Sequence, residues 1–492
     1  MAAAAIATCG LLAAACSRTP EPEAPRLVLL YAPCTVSKQF LSPYASGVPY
    51  TPHLQSFADR GVVFEKHHTE SGQSGISFAS IFSGTQATTH GIFSHPNRLP
   101  DDLLLITEAF AERGYDSYAF LAHQMASGGL GYAQGVVRGN GGRRPLTADN
   151  PTFRRILARL RDDPDYRAFI VTNFTVTHGP YRGAWLDEFC TAYPGQCDAR
   201  RDRAGFERYS RMYGGNVRLL GLDLEGAVEK LGLGDDELAR LADVIELRYK
   251  STVFQLDRMF GAVVDAIAEH DLLDRSLVAF TADHGEIFYR PNALLYWTHG
   301  FQLAPEVIGV PWIVAGPGAA VPTGSYDGNT RSIDVFPTLA GLAGLEMPEI
   351  DGFGHDLSHA VRGEEAPPEL LAFSHTPLYQ PRYWEKFRRY RGLARLFPEQ
   401  LPELLWVGVR TGDVFAKLRR TDGESWQTAI FDLGTDPGET RDLFDENDED
   451  HRRLVGELRD YKARLVERAY QAEGTVPRKR SLELLRSLGY ID

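Results

Sequence analysis

Ser276-Leu277-Val278-Ala279-Phe280-Thr281-Ala282-Asp283-His284-Gly285-Glu286 is the stretch on which the fold turns. Its first half carries no charge and reads as a strand buried on both faces, as in a parallel sheet enclosed by helices. Its second half places an aspartate and a histidine just past the strand's carboxyl end, where α/β sheets collect their ligands. A carboxylate oxygen beside an imidazole nitrogen suits one divalent metal ion. The same residues equally suit a turn closed by Gly285, with Asp283 capping a following helix.

Working outward, short apolar runs recur at Arg26–Tyr31, Val62–Phe64, Ser117–Leu121 and Ala168–Phe174. Helical spacing joins Leu54, Phe57 and Ala58, and it recurs over Leu105–Arg113 and Ala242–His270. Strand and helix in turn predict an α/β fold, a mostly parallel sheet sandwiched by helices. Beyond Pro402 the pattern changes. Leu405–Val409, Val414–Leu418 and Gln427–Phe431 follow one another across turn residues with no helix between, which predicts a small antiparallel sheet. Leu454, Leu458, Tyr461 and Leu465 then lie at helical spacing within Glu446–Glu473, so a long amphipathic helix is expected there. The expected organisation is a leader and tether over residues 1–25, an α/β domain over 26–400 and a C-terminal subdomain over 401–492.

The 492 residues carry 52 Lys and Arg against 65 Asp and Glu, a net charge of −13. An acidic surface of this kind excludes nucleic acid as a general partner, because phosphate backbones require a basic stripe. Ala2–Ala15 is nearly all Ala, Leu and Ile, too short to span a bilayer and followed by the polar tether Pro20–Pro25, so it reads as a signal segment. Leu12-Ala13-Ala14-Ala15-Cys16 resembles a bacterial lipoprotein processing box, which implies export to the periplasm or cell envelope with Cys16 as lipid anchor and no other membrane contact. Cys190 and Cys197 enclose a turn-like insert and are expected to form a local disulfide in an exported protein, with a zinc site as the lesser alternative.

Three further places carry candidate chemistry. Ser71–Gly84 is a small-residue loop running into an apolar helix, and a hydroxyl at a helix N-terminus, such as Ser74, is placed to attack an anionic ester. The competing reading is a simple N-cap. His178, in Thr177-His178-Gly179-Pro180-Tyr181, follows the strand Ala168–Phe174, and His299, in Trp297-Thr298-His299-Gly300, follows the Asp283 strand. Each histidine alone suits a packing role, whereas several beyond strand ends in one domain suit a site.

With these pieces in place the chain resembles the sulfatase family of the alkaline phosphatase superfamily. Leu41-Ser42-Pro43-Tyr44, Phe78–Gly84 with His90-Gly91, His178-Gly179-Pro180-Tyr181, Thr281–Glu286, His299-Gly300, Asp334–Leu339, Phe431-Asp432-Leu433 and Leu485–Tyr490 carry the likeness, in the family's order. The resemblance implies an alkaline phosphatase-like α/β core, a C-terminal antiparallel sheet, and one divalent metal, calcium by family habit. It also implies a sulfated or phosphorylated small molecule or glycan as substrate.

Two departures matter. The family oxidises a Cys or Ser to formylglycine within Cys/Ser-x-Pro-x-Arg, and the matching residues are Ser74-Gly75-Ile76-Ser77-Phe78, with Ile76 for the proline and Phe78 for the arginine. Cys34 stands where the family places a metal-binding aspartate. A thiolate favours zinc over calcium, so Cys34, Asp283 and His284 form an expected zinc set, with Ser74 as nucleophile or its precursor and His178 and His299 binding the anion or protonating the leaving group. Sulfate ester hydrolysis is the leading expectation. Phosphoester hydrolysis or phosphoryl transfer by unmodified Ser74 is the second, and an inactive glycan- or anion-binding relative, with Cys34 as a small buried hydrophobe, is the third.

Overall fold

The computed structural model describes residues 24–94, 96–137, 144–181, 183–198, 216–290, 293, 295–318, 320–347, 352–378, 404–421 and 425–471. The expected leader with Cys16, and the tail Leu485–Tyr490, lie outside the described residues. Among the described residues no helix is long and apolar enough to cross a membrane.

The central sheet contains β1 (Leu27–Pro33), β2 (Gly61–His68), β3 (Asp116–Leu121), β4 (Ala168–Phe174), β5 (Ser276–Thr281), β6 (Trp312–Ala315) and β7 (Gly324–Arg331), in the order β3-β4-β1-β5-β6-β2-β7. β1 lies between β4 and β5, parallel to both, with Leu27 opposite Ala168 and Ser276. Only β6 runs against its neighbours, β5 and β2. The sheet is therefore mostly parallel, and the carboxyl ends of β1, β2, β3, β4 and β5 open on one edge. β1, β4 and β5 are buried along their whole length, as their uncharged runs require.

Helices pack the faces: α1 (Pro52–Ala58), α2 (Ser74–Ser83), α3 (Ile106–Glu112), α4 (Pro151–Asp162), α5 (Asp235–Ala268) and α6 (Val335–Leu342). α2 is buried at every residue and ends on Gly84 in the left-handed conformation, φ 66°, where glycine carries no Cβ penalty. α5 begins earlier than the predicted Ala242, because Asp235, Asp236 and Glu237 stabilise its positive N-terminal end.

A second, antiparallel sheet has the order β11-β10-β9-β8, with β8 Ala372–His375, β9 Trp406–Thr411, β10 Val414–Arg420 and β11 Trp426–Asp432. β8 comes from before residue 401, so this sheet also draws on the segment assigned by sequence to the first domain. Val407, Val409, Ala416, Leu418 and Ile430 share one buried cluster with Leu454, Leu458, Tyr461 and Leu465 of α7 (Glu449–Gln471). The amphipathic helix thus covers one face of the small sheet. Cys190 and Cys197 form a disulfide, and Cys34 is free and buried.

Candidate active site

Each site residue follows a strand end. Cys34 succeeds β1 and its N–H donates to the Phe174 carbonyl at the end of β4, 2.8 Å away. Thr35 takes a positive φ of 62°, uncommon for a β-branched residue and stable only where the surroundings impose it. They do: Thr35 N–H donates to Asp283 Oδ1 at 3.0 Å, Tyr249 Oη donates to the Thr35 carbonyl at 2.9 Å, and Val36 N–H donates to the His284 carbonyl at 2.9 Å.

Past β5 the described residues 284–290 form no helix, so the helix-cap reading of Asp283 fails. Asp283 Oδ1 accepts the N–H groups of Thr35 and His284, whereas Oδ2 is buried with no hydrogen-bond partner. His284 Nδ1 lies 2.8 Å from the Gly285 carbonyl. A carbonyl only accepts, so that nitrogen holds the ring hydrogen and Nε2 presents its lone pair. Nε2 faces Asp283 Oδ2 at 3.5 Å, Ser74 Oγ at 3.2 Å and Cys34 Sγ at 3.9 Å. Gly285 permits this turn, since a Cβ there would stand 2.0 Å from the Glu306 carbonyl oxygen.

Ser74 is the first residue of α2, whose N-cap is Gln73. Ser74 does not cap the helix; its Oγ turns to His284 and to Cys34 Sγ, 3.5 Å away. Burial, and then the charge of Asp283, push the Cys34 thiol up. A bound cation would reverse that balance. Ile76 and Phe78, at the motif positions of the proline and the arginine, are fully buried, Phe78 against Phe82 and His123.

His299 Nδ1 lies 3.2 Å from Glu286 Oε1, and Tyr181 Oη donates to Glu286 Oε2 at 2.8 Å. The His299 ring is 4.2 Å from that of His284 and 5.1 Å from that of His178. All six residues singled out in the sequence, Cys34, Ser74, His178, Asp283, His284 and His299, therefore stand around one place. Beside it opens a cavity of about 370 Å³ lined by His123, His178, Pro180, Trp185 and Thr252.

Sequence reasoning missed His123 and Glu286. A ligand atom of His123 lies within 4.8 Å of those of Cys34 and Asp283. His123 Nδ1 accepts the Met125 N–H at 3.1 Å, so its hydrogen sits on Nε2, which suits donation to an anion better than metal ligation. Burial pushes its pKa down to about 3. The signal was available: His123 follows β3 as Asp283 follows β5.

The donor set fits a metal. Asp283 Oδ2 without a partner, the Nε2 lone pair of His284 and the Cys34 thiol converge, and a buried polar atom left unpaired calls for an explanation. One oxygen, one nitrogen and one sulfur match zinc, whereas calcium takes about 6–8 oxygens.

Fold and strand-end site together define an alkaline phosphatase-like α/β protein. The sulfatase family model matches residues 35–345, and the chain belongs to the sulfatase family. Among curated relatives, choline-sulfatase of Rhizobium meliloti (strain 1021) is 30% identical over 160 residues, 32% of this chain and 30% of that protein. Arylsulfatase A of Bos taurus is 28% identical over 214 residues, 41% of this chain and 40% of that protein. The matches thus span well under half of either relative. A structure solved in complex with its substrate D-glucosamine-2-N,6-O-disulfate superimposes with TM-score 0.62 at 16% identity, over 90% of this chain and 99% of that one. A phosphonate monoester hydrolase from Silicibacter pomeroyi does so with TM-score 0.58 at 17% identity, over 92% and 96%.

Proposed function

We propose that the protein is an exported hydrolase of sulfate esters on a glycan or small molecule, working at one zinc ion held by Asp283, His284 and Cys34. The observation that carries the reading is Asp283 Oδ2, a buried carboxylate oxygen with no partner, beside the lone pair of His284. The ion, when bound, supplies positive charge that lowers the pKa of the neighbouring hydroxyl and offsets charge on the ester. Ser74, at the positive end of α2, attacks sulfur through Oγ as the ester S–O bond breaks. His299, oriented by Glu286, gives its proton to the departing oxygen. His123 donates Nε2–H to the anion, and His178 lines the same cavity. The Ser74 hydroxyl proton passes to solvent as Oγ attacks; water then attacks sulfur, the Oγ–S bond breaks, and the two protons of the water restore His299 and Oγ as sulfate leaves. The Cys190–Cys197 disulfide supports export, because disulfides persist in oxidising compartments; the mass of the mature N-terminus tests processing at Cys16.

Metal content of the purified full chain and turnover of 4-nitrocatechol sulfate test the reading. About one zinc per chain, with turnover lost on chelation and restored by zinc, is expected. A chain that binds no metal and turns over no ester overturns it in favour of an inactive anion-binding relative.

The buried Ile76 and Phe78 favour one second reading, phosphoester hydrolysis by unmodified Ser74. A higher kcat/KM on 4-nitrophenyl phosphate than on 4-nitrocatechol sulfate would select it.

A further inference from the structure

The face of the small sheet turned away from α7 carries chemistry that the reaction does not use. Cross-strand register aligns Trp406, Arg419 and Gln427 in one row and Gly408, Lys417 and Ala429 in the next. Above them lies a cavity of about 190 Å³, separate from the one beside His178, lined by Trp406, Arg419, Gln427, Lys417, Arg290 and Glu439.

Three cations meet there. Arg290 pairs with Glu306 at 2.7 Å and lies 3.7 Å from Glu439, and Lys417 pairs with Glu439. Arg419 has no carboxylate partner among the described residues. It stacks over Trp406 at 5.3 Å, and its Nε is buried without a hydrogen-bond partner. Burial alone acts on its guanidinium, pulling the pKa down. A half-buried charge without a counterion is costly, and an anion seated against it offsets that cost. The remaining lining combines the Trp406 indole, the amides of Gln427 and Gln302, paired charges and apolar side chains such as Leu303 and Phe431, surfaces that hold a ring with apolar faces and hydroxyl edges. The volume lies below the about 300–1,000 Å³ of pockets that enclose a whole ligand, which suits one unit of a longer chain.

We infer that this cavity is a subsite for one anionic sugar unit, sulfated or carboxylated, of an oligosaccharide. Its walls continue the two segments that build the active site: Arg290 follows Glu286, and Gln302 follows His299. The inference rests on the proposed action on an anionic ester and deepens it, placing a second unit of a glycan against Trp406 and Arg419 while another is held at Ser74.

Direct binding to the full chain tests it, by calorimetric titration with short sulfated oligosaccharides from heparan sulfate, chondroitin sulfate and carrageenan, their desulfated counterparts, and oligogalacturonate as the carboxylate probe. At least one anionic member binds, and Arg419→Gln and Gln427→Ala, each melting as the parent does, weaken it by at least about tenfold. Arg420→Gln, one residue along on the opposite face, binds as the parent does. Retention of binding by Arg419→Gln and Gln427→Ala overturns the subsite, as does a panel in which no member binds. Turnover of 4-nitrocatechol sulfate by the parent chain reports on the proposed function separately. Binding that depends on Arg419 without turnover keeps the subsite and discards the reaction; turnover without such binding does the reverse.

Discussion

Ser74 Oγ and His284 Nε2 lie 3.2 Å apart although 210 residues separate them in the chain. The contact arises because β2 and β5 point the same way in one sheet, so the helix after one and the turn after the other meet at a single edge. Ser74→Ala removes one hydroxyl at a buried helix start and leaves Asp283, His284 and Cys34 in place. The expected outcome is a fall in kcat on the order of 10³-fold or more, with zinc content unchanged. Equal turnover by the variant would remove Ser74 from the reaction.

His299 is assigned the leaving-group proton because Glu286 fixes its ring from the Nδ1 side. That role matters little when the departing oxygen is already a stable phenolate. His299→Gln should therefore slow an alkyl sulfate by about 10²–10⁴-fold and 4-nitrocatechol sulfate much less. A uniform loss across both substrates would point to ground-state binding instead.

The α/β core was legible because Leu27–Tyr31, Ala168–Phe174 and Ser276–Thr281 are uncharged runs bounded by turns. β7 was not: Gly324-Ser325-Tyr326-Asp327-Gly328-Asn329-Thr330-Arg331 lies at the sheet edge, half exposed, with no apolar run to announce it. β6 and β8 span four residues each, too few for a period to register. Asp283 and His284 were legible because they follow their strand within three residues. The competing cap readings were undecidable from sequence, since at Asp283 they turn on whether a helix follows at all and at Ser74 on whether α2 starts at that residue or the next. His123, two residues past the predicted strand Ser117–Leu121, carried the same strand-end signal as Asp283 but stands in no motif that drew attention to it.

His67 gives the fold a defined weakness in acid. Burial first, then the charge of Lys38, push its pKa down from 6.5 to about 3. The unfolded chain takes up a proton as pH falls below 6.5 and the folded chain does not until about 3, so stability is full above that window and is lost as pH falls through it. Between pH 7 and pH 5 the term amounts to about 2 kcal/mol. His67→Phe keeps the ring against Trp312 and should shrink the difference in urea unfolding free energy between those two pH values by about that amount. An unchanged pH dependence would show that His67 is not kept neutral by the fold.

The hydroxyl of Tyr461 ties α7 to the core. It donates to Glu70 Oε1 at 2.9 Å, and the same buried carboxylate accepts from Ser80 Oγ at 2.6 Å and from the Ala87 N–H. Tyr461→Phe keeps the ring stacked on Phe373 but leaves a buried charge short of one donor. The expected cost is about 1–3 kcal/mol in urea unfolding. A neutral result would mean that Ser80 and Ala87 satisfy Glu70 without the helix.

Cys34 sets the metal preference in this scheme. Its sulfur faces Ser74 and His284 with Asp283 close by, and the described donors offer few oxygens. Replacing the thiol by a carboxylate changes the softest donor into a hard one, and hard divalent ions prefer oxygen. Cys34→Asp should therefore lower zinc content and raise the calcium or magnesium that the chain retains. Cys34→Ala should lose zinc without gaining either, and its apo form should melt near the parent's apo form, because a small buried side chain is exchanged for another of similar size. Were both variants to carry zinc at the parent's stoichiometry, the thiol would be packing alone, and Asp283 and His284 would have to hold the ion with other partners.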